Sequence, residues 1–259
     1  MDRKNIDKIA KTPQDKLLLS KLWDKVQAGL RKNIPISTCF LSPYEQEMSR
    51  YLFGQLEGLH AFGGYPDAER KMLVFLPDYL EDALNTEAGL VCLRASFYEN
   101  DTPSHRDFLG ALMGLGIARE TIGDILVGND SCDFFVTTEI APYLLQNFTS
   151  AGRVKLHLKE ISLDELATVQ PQTKEIRDTL ASLRLDSVIS SGFRIGRSQA
   201  ADYISSGRAA INGLPCEKPD KSVTEGMKIS VRGLGKILLR SVGGQTKKGR
   251  ISVVIDRYI

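Results

Sequence analysis

The sequence predicts an α+β protein whose consecutive regions differ in their pattern of apolar residues. Residues 1–80 carry helix-start signals and one short strand, residues 81–162 alternate between strand and helix patterns, and residues 182–259 combine two helices with a small β-sheet. Residues 163–181 are polar, contain Pro171 and are predicted to be a linker. Of the 259 residues, 42% are hydrophobic and 25% are charged, which is typical of a globular protein.

Helix-start signals mark the N-terminal region, residues 1–80. The stretches TPQD (12–15) and SPYE (42–45) each place a capping hydroxyl before a proline, with an acidic residue three positions after the cap. A glycine-rich turn then precedes an apolar run from Met72 to Leu76. The region is therefore predicted to be helical with a final strand.

Residues 90–161 show the succession β-α-β-β-α-β. This order is the split βαβ unit of ferredoxin-like folds, which RNA-recognition motifs also use. Such motifs stack bases on aromatic side chains of their central strands, and Phe134 and Phe135 lie on one predicted central strand. Because the Lys/Arg-Gly sequence that precedes such aromatics is absent, we interpret the two phenylalanines as core and surface neighbours rather than a base platform.

The C-terminal unit, residues 182–259, opens with a helical segment predicted over IRDTLASLRLDSVISSG (176–192). A second helix with small residues ends at Gly207, and Asn212-Gly213 predicts a tight turn. The last two strands flank GGQTKKG (243–249), so the sequence predicts a hairpin with a basic tip.

The cysteine spacing and the N-terminal residues indicate which cofactors and which cellular compartment to expect. Cys39, Cys92, Cys132 and Cys216 are scattered without a Cys-x-x-Cys pair or a nearby histidine, which argues against a structural zinc site and predicts free thiols. No apolar run is long enough to span a membrane, and the N-terminus lacks the apolar core of a secretory signal. We therefore expect a cytoplasmic protein with no cofactor and no metal.

The net charge of +2 conceals an asymmetric distribution. Residues 182–259 contain 14 Lys/Arg and 6 Asp/Glu, a net charge of +8. Residues 1–181 contain the remaining 20 basic and 26 acidic residues, a net charge of −6. A basic module on an acidic body is typical of a protein that binds nucleic acid through that module.

Arginines flank the second C-terminal helix, where helix electrostatics alone do not favour them. Arg194 and Arg197 precede the helix although its N-terminus favours negative charge, so we infer that they and this N-terminus meet an anion. Guanidinium groups suit phosphate, which indicates contacts with an RNA backbone. The predicted RNA-binding residues are Arg184, Arg194, Arg197, Ser198, Arg208, Asn212, Lys218, Lys221, Lys247, Lys248 and Arg250.

The same segment resembles the S4 RNA-binding domain. The matching positions are Arg184-Leu185-Asp186, Arg197, Ala200, Ile204, Gly207, Ile211-Asn212-Gly213, Pro219 and Gly226. The sequence departs from the S4 pattern at Met227, where Asp is frequent, and at Gly196, where Ser is frequent; neither change removes a cation. Pseudouridine synthases use a Gly-Arg-Leu-Asp sequence around a catalytic Asp, but Leu183 replaces that Gly. We therefore expect Asp186 to tie the opening helix to the domain.

Two further stretches, GGYPDAERKMLVFLP (63–77) and HRDFLGALMGLGIARETIGDI (105–125), extend the resemblance to YlmH-type bacterial proteins over nearly the whole chain. That resemblance implies an N-terminal region, an RNA-recognition-like middle domain and a C-terminal S4 domain. It implies binding to rRNA of the large ribosomal subunit or to tRNA, with Arg184 and Arg197 on the RNA backbone. It also implies a role in ribosome-associated quality control or translation, with a link to cell division.

Two other function classes stay open. An RNA-modifying enzyme accessory or a pseudouridine-synthase-like protein would use the S4 domain for docking, but His60, His105 and His157 lie in separate segments. No phosphate-binding loop, metal-ligand pair or nucleophile–base spacing accompanies them, so we expect no enzymatic activity. A protein-interaction factor in cell division would instead use the acidic N-terminal region for its protein partners.

Overall fold

The computed structural model describes residues 3–98, 100–166, 173–246 and 249–258. It confirms the α+β class. The chain divides into two compact units, Met1–Val169 and Gln170–Ile259, so the N-terminal and middle regions share one unit. No helix in the described ranges is both long and apolar enough to cross a membrane.

The N-terminal part of the first unit packs helices against a three-stranded antiparallel sheet of order β1-β3-β2. Both predicted capping signals are confirmed: the N–H of Asp15 donates to Thr12 Oγ1 over 3.1 Å, and the N–H of Ser42 donates to Glu45 over 2.6 Å. The predicted strand near Met72 is also confirmed, as β3. The elements are α1 (Ile6–Ile9), α2 (Pro13–Lys32), β1 (Ile36–Ser37), α3 (Pro43–Phe53), β2 (Leu59–Phe62), β3 (Met72–Phe75) and α4 (Leu84–Glu87).

The second part of this unit forms the β-α-β-β-α-β succession that the sequence predicted. Its four-stranded antiparallel sheet has the order β5-β6-β4-β9, with β4 and β6 at the centre. A small antiparallel pair, β7 and β8, is inserted before the last strand. The elements are β4 (Leu90–Ser96), α5 (His105–Gly114), β5 (Ile122–Val127), β6 (Ser131–Thr137), α6 (Ala141–Asn147), β7 (Ser150–Ala151), β8 (Val154–Lys155) and β9 (His157–Ile161).

Both faces of the central strand β6 are covered. Phe134 packs into the cluster formed with α5 and α6, whereas Phe135 packs with Phe40 and Met72 of the N-terminal part. Both phenylalanine side chains are 0% exposed. The sequence interpretation that one of the two phenylalanines lies at the surface was wrong, because adjacent strand residues point to opposite faces and the N-terminal part covers the second face.

The second unit is a six-stranded antiparallel sheet of order β10-β15-β14-β13-β11-β12, with both helices packed against its buried side chains. Gly192 of α7 permits close packing on β14, since a Cβ atom there would lie 2.7 Å from Ile237. The elements are β10 (Thr173–Leu180), α7 (Leu185–Phe193), α8 (Arg197–Ser205), β11 (Ala209–Ile211), β12 (Leu214–Pro215), β13 (Lys228–Val231), β14 (Gly235–Gln245) and β15 (Ile251–Tyr258).

Strand β10 corrects two sequence interpretations. Residues 163–181 were predicted to be a linker and the helical pattern was predicted to begin at Ile176, but β10 pairs along its whole length with β15. Ile176 and Leu180 face the core at 6% exposure, while charged residues cover the outer side. Such charges protect an edge strand from pairing with other chains, and here they concealed the strand pattern.

Candidate nucleic-acid interface

Two of the predicted RNA-binding arginines converge on one carboxylate. Arg184 is the N-cap residue of α7, and Arg197 is the first residue of α8. Arg184 donates from Nε and Nη2 to Asp186 over 3.3 and 3.2 Å. Arg197 donates from the same two atoms to Asp186 over 3.1 and 3.4 Å. The short loop between the helices thus brings two cations, thirteen positions apart in sequence, to the same acidic side chain.

The backbone of Asp186 and its carboxylate have separate roles. Its N–H donates to Pro219 O over 3.0 Å, and the N–H of Leu185 donates to Lys221 O over 2.9 Å. These backbone bonds hold the start of α7, the role that the sequence assigned to Asp186. Burial raises the pKa of the Asp186 carboxyl, but hydrogen bonds and positive charge from Arg184 and Arg197 outweigh it and hold the pKa below its usual value.

Each of these arginines keeps part of its side chain exposed to solvent. The side chain of Arg184 is 41% exposed and that of Arg197 is 54% exposed, whereas that of Asp186 is only 7% exposed. Because Nε and Nη2 of each face the carboxylate, Nη1 and the outer N–H of Nη2 are left for another acceptor. Planar donors of this kind suit phosphate oxygens.

The loop before α8 adds a third cation. Arg194 ends α7 in the left-handed region with φ 54°, and its side chain is exposed. Within the described ranges, its side chain has no hydrogen-bond or ion-pair partner, while its backbone N–H donates to Ser191 O over 3.3 Å. Gly196 caps α8 without a side-chain hydrogen bond, and Ser198 in its first turn is exposed. The start of α8 therefore combines exposed cations with helix N–H groups that no side chain caps.

Lys218 and Lys221 lie in the turn that contacts the start of α7. The N–H of Lys221 donates to Lys218 O over 3.1 Å, and both side chains are exposed. Since Lys221 O accepts the N–H of Leu185, this turn is fixed next to Arg184. These backbone contacts place the turn that carries both lysines beside the start of α7.

Arg208 and Asn212 differ in how much of their side chain is free. Arg208 is exposed and lies over the Tyr203 ring, 5.5 Å from its centroid. Asn212 has φ 48°, and its side-chain oxygen accepts the N–H of Lys228 over 2.9 Å. The side chain of Asn212 therefore closes the β11–β13 connection, and the oxygen that an RNA contact could have used is occupied within the fold.

At the hairpin tip, one of the predicted RNA-binding side chains is hydrogen-bonded within the fold. The guanidinium of Arg250 donates from Nε to the Oγ1 and the carbonyl oxygen of Thr179, over 3.0 and 3.1 Å. This side chain therefore ties the hairpin to β10. Lys247 and Lys248, also predicted to bind RNA, lie outside the described residues.

Sequence reasoning missed Arg232 as a member of this basic surface. Its N–H donates to Arg208 O over 2.9 Å, and its side chain is exposed. The pairing of β11 with β13 creates this proximity, because Ala209 lies opposite Val231. Only the strand register could have revealed it, since the two arginines are far apart in the sequence.

Clusters suited to metal binding are absent from the described residues, where no three His, Cys, Asp or Glu side chains group together. The four cysteines carry no disulfide. Burial raises the pKa of the Cys92 thiol to about 12, and Cys132, also buried, has its pKa raised. These two thiols are therefore protonated at neutral pH and pack as apolar groups.

Comparison with known proteins places the chain among bacterial relatives. Residues 99–165 match the family described as "Putative RNA-binding domain in YlmH". Ribosome-associated protein quality control protein P2 of Bacillus subtilis (strain 168) is 35% identical over 225 residues, covering 85% of this chain and 86% of that protein. The solved structure of cell division protein ylmH from Streptococcus pneumoniae aligns with a TM-score of 0.47 and 18% identity, covering 60% of this chain and 96% of that one.

Proposed function

The chain belongs to the YlmH family, the family of ribosome-associated protein quality control protein P2, and on that premise we propose that it is a ribosome-associated RNA-binding protein. Its RNA is rRNA of the large ribosomal subunit, tRNA or both. Its role lies in ribosome-associated quality control or translation, with a link to cell division that rests on the sequence resemblance alone.

The binding surface is the basic surface of the second unit, defined as Arg184, Arg194, Arg197, Arg208, Lys218, Lys221 and Arg232. One observation carries the proposal: Arg184 and Arg197 share the buried carboxylate of Asp186 and still expose donors suited to phosphate. The resemblance of this unit to the S4 domain supports the same surface. The family match at residues 99–165 lies in the first unit, so it supports RNA binding by the chain but is no argument for this particular surface.

According to this proposal, the protein binds RNA and does not catalyse a reaction on it. The Asp of its Arg-Leu-Asp sequence, which a pseudouridine synthase would use as a catalytic residue, is buried and hydrogen-bonded by two arginines. A carboxylate in that setting is poorly placed to attack a nucleotide base. The enzyme alternative would be supported by any change in the mass of RNA nucleosides after incubation with the protein.

The test is co-sedimentation with isolated large ribosomal subunits over a salt series. Arg197→Ala is the variant of choice, because Arg184 still pairs with Asp186, whereas replacing both arginines would leave a buried charge without a partner. Arg177→Ala is the matched control: it removes the same charge from the same unit, at an exposed side chain of β10. We expect Arg197→Ala to weaken binding and to reduce the slope of log affinity against log salt by about 0.7–0.9.

Equal effects of Arg197→Ala and Arg177→Ala would contradict a specific role of the basic surface and indicate only general charge attraction. Binding that survives both high salt and nuclease treatment would indicate a protein partner instead. Absence of binding to large subunits and to tRNA by the unaltered protein would overturn the proposed function itself.

A further inference from the structure

An acidic residue lies between two arginines of the basic surface. Asp186 is 7% exposed at its side chain and accepts hydrogen bonds from both Arg184 and Arg197. Its charge has the wrong sign for an RNA site, and its backbone N–H already holds the start of α7 through Pro219 O. The carboxylate therefore needs an explanation beyond the attachment of the helix.

We propose that Asp186 is a positioning residue for RNA binding, which holds Arg184 and Arg197 with their free N–H donors directed outward to receive the phosphate backbone of one RNA. This inference rests on the proposed function and assigns a role to a residue that does not touch the RNA. The contact atoms support it: each guanidinium presents Nε and Nη2 to the carboxylate, so its plane and direction are fixed.

Fixing the two side chains reduces the cost of binding. A free arginine side chain loses rotational freedom when it binds phosphate, and a side chain that is already held in the unbound protein loses less. Ser187 contributes to the arrangement, because its hydroxyl donates to Asp186 Oδ1 over 3.3 Å. The carboxylate thus receives donors from three side chains and keeps a single orientation.

Positioning and simple electrostatics predict opposite results for Asp186→Asn. Removal of a negative charge from the surface should strengthen RNA binding if charge alone decides the affinity. Loss of the shared acceptor should weaken RNA binding if positioning decides it, because an amide offers one acceptor oxygen where the carboxylate offers two. Asp202→Asn is the matched control, since Asp202 is exposed on α8 and its substitution removes the same charge from the same unit.

The experiment measures the affinity of the full chain for isolated large ribosomal subunits and for total tRNA over a salt series. For Asp186→Asn we expect about tenfold weaker binding, from side chains that become ordered only on binding. We also expect the salt slope to fall by about 0.7–0.9 for each phosphate that the variant no longer neutralises. Asp202→Asn should bind as tightly as the unaltered protein or more tightly. A merely structural role of Asp186 would lower the unfolding midpoint, but the affinity and salt slope of the folded variant would match those of Asp202→Asn.

Asp186→Asn binding that matches Asp202→Asn would overturn the inference while leaving the proposed function intact. No binding of either RNA by the unaltered protein would overturn both. If Asp186→Asn does not fold, NMR of the unaltered protein tests the inference instead. The Nε–H signals of Arg184 and Arg197 can be assigned with Arg→Lys variants. These protons should exchange slowly with solvent, and their signals should persist when tRNA is added. Their disappearance on tRNA binding would show that the arginines leave Asp186, and would overturn the inference.

Discussion

Arg94 and Arg70 of the first unit differ from Arg184 and Arg197 of the second unit in which groups occupy their donors. In the first unit, Arg94 donates to Asp133 over 2.6 and 2.7 Å, and Arg70 donates to the carbonyl oxygens of Phe40 and Ile122 over 2.8 and 2.9 Å. In the second unit, Arg184 and Arg197 share one carboxylate and keep exposed donors. The first arrangement holds segments of the fold together, whereas the second leaves binding capacity at the surface.

Burial shows the same difference. Arg119 in the first unit lies close to Arg70, and burial together with the charge of Arg70 lowers the pKa of Arg119 to about 10. Its guanidinium donates to Ile122 O over 2.6 Å, so the positive charge is used inside the unit. A count of basic residues would rank such arginines with those of the second unit. The exposure of the donors, and not the charge, therefore identifies the basic surface.

Phe135→Ala tests whether the interior of the first unit serves stability rather than RNA contact. Its loss of stability should be among the largest. Phe135 is 0% exposed, stacks on Tyr65 at 5.4 Å between ring centroids and packs against Gly64 and Gly123. We expect the free energy of unfolding to fall by about 3–5 kcal/mol, measured by denaturant unfolding, with RNA affinity of the folded protein unchanged. If Phe135 were a platform for base stacking, its side chain would be exposed. Phe135→Ala would then cost little stability and would weaken RNA binding.

Arg94→Ala and Arg197→Ala should separate the two kinds of arginine. Arg94→Ala removes a guanidinium from Asp133, a carboxylate that is 2% exposed at its side chain, and should lower the free energy of unfolding by about 3–5 kcal/mol. Arg197→Ala should cost about 1 kcal/mol or less, because Arg184 still pairs with Asp186. Denaturant unfolding of both variants checks this. Equal losses would mean that the pair at Asp186 is as structural as the one at Asp133.

Local signals predicted more of the fold than non-local ones. The capping boxes before α2 and α3 depend on four consecutive residues, so the sequence located them correctly. The β-α-β-β-α-β succession was also predictable, because its strands and helices have distinct apolar periods. Strand β10 was missed because, as an edge strand, it buries only Ile176 and Leu180 among its charged residues.

The candidate site was predictable in composition but not in geometry. Arg184, Arg194 and Arg197 were identified from helix electrostatics and from the S4 resemblance. Their relation to Asp186 depends on how α7 packs against α8, and the position of Arg232 depends on the register of β13, neither of which a single sequence specifies. The coverage of Phe135 likewise depends on contacts with a region far away in the chain.

Arg250→Ala should give the smallest effect on stability and affinity, and it tests whether Arg250 belongs to the basic surface. Its guanidinium donates to Thr179 across the β10–β15 pair and is exposed to solvent, so Arg250→Ala should lower the free energy of unfolding by only about 1 kcal/mol. RNA affinity should stay within about twofold of the unaltered protein, because the side chain is committed to the fold and loses only its long-range charge. Parallel denaturant unfolding and co-sedimentation check both values, with Arg197→Ala as the positive comparison. A loss of affinity as large as that of Arg197→Ala would mean that Arg250 leaves Thr179 to contact RNA, and that the binding surface reaches the hairpin tip.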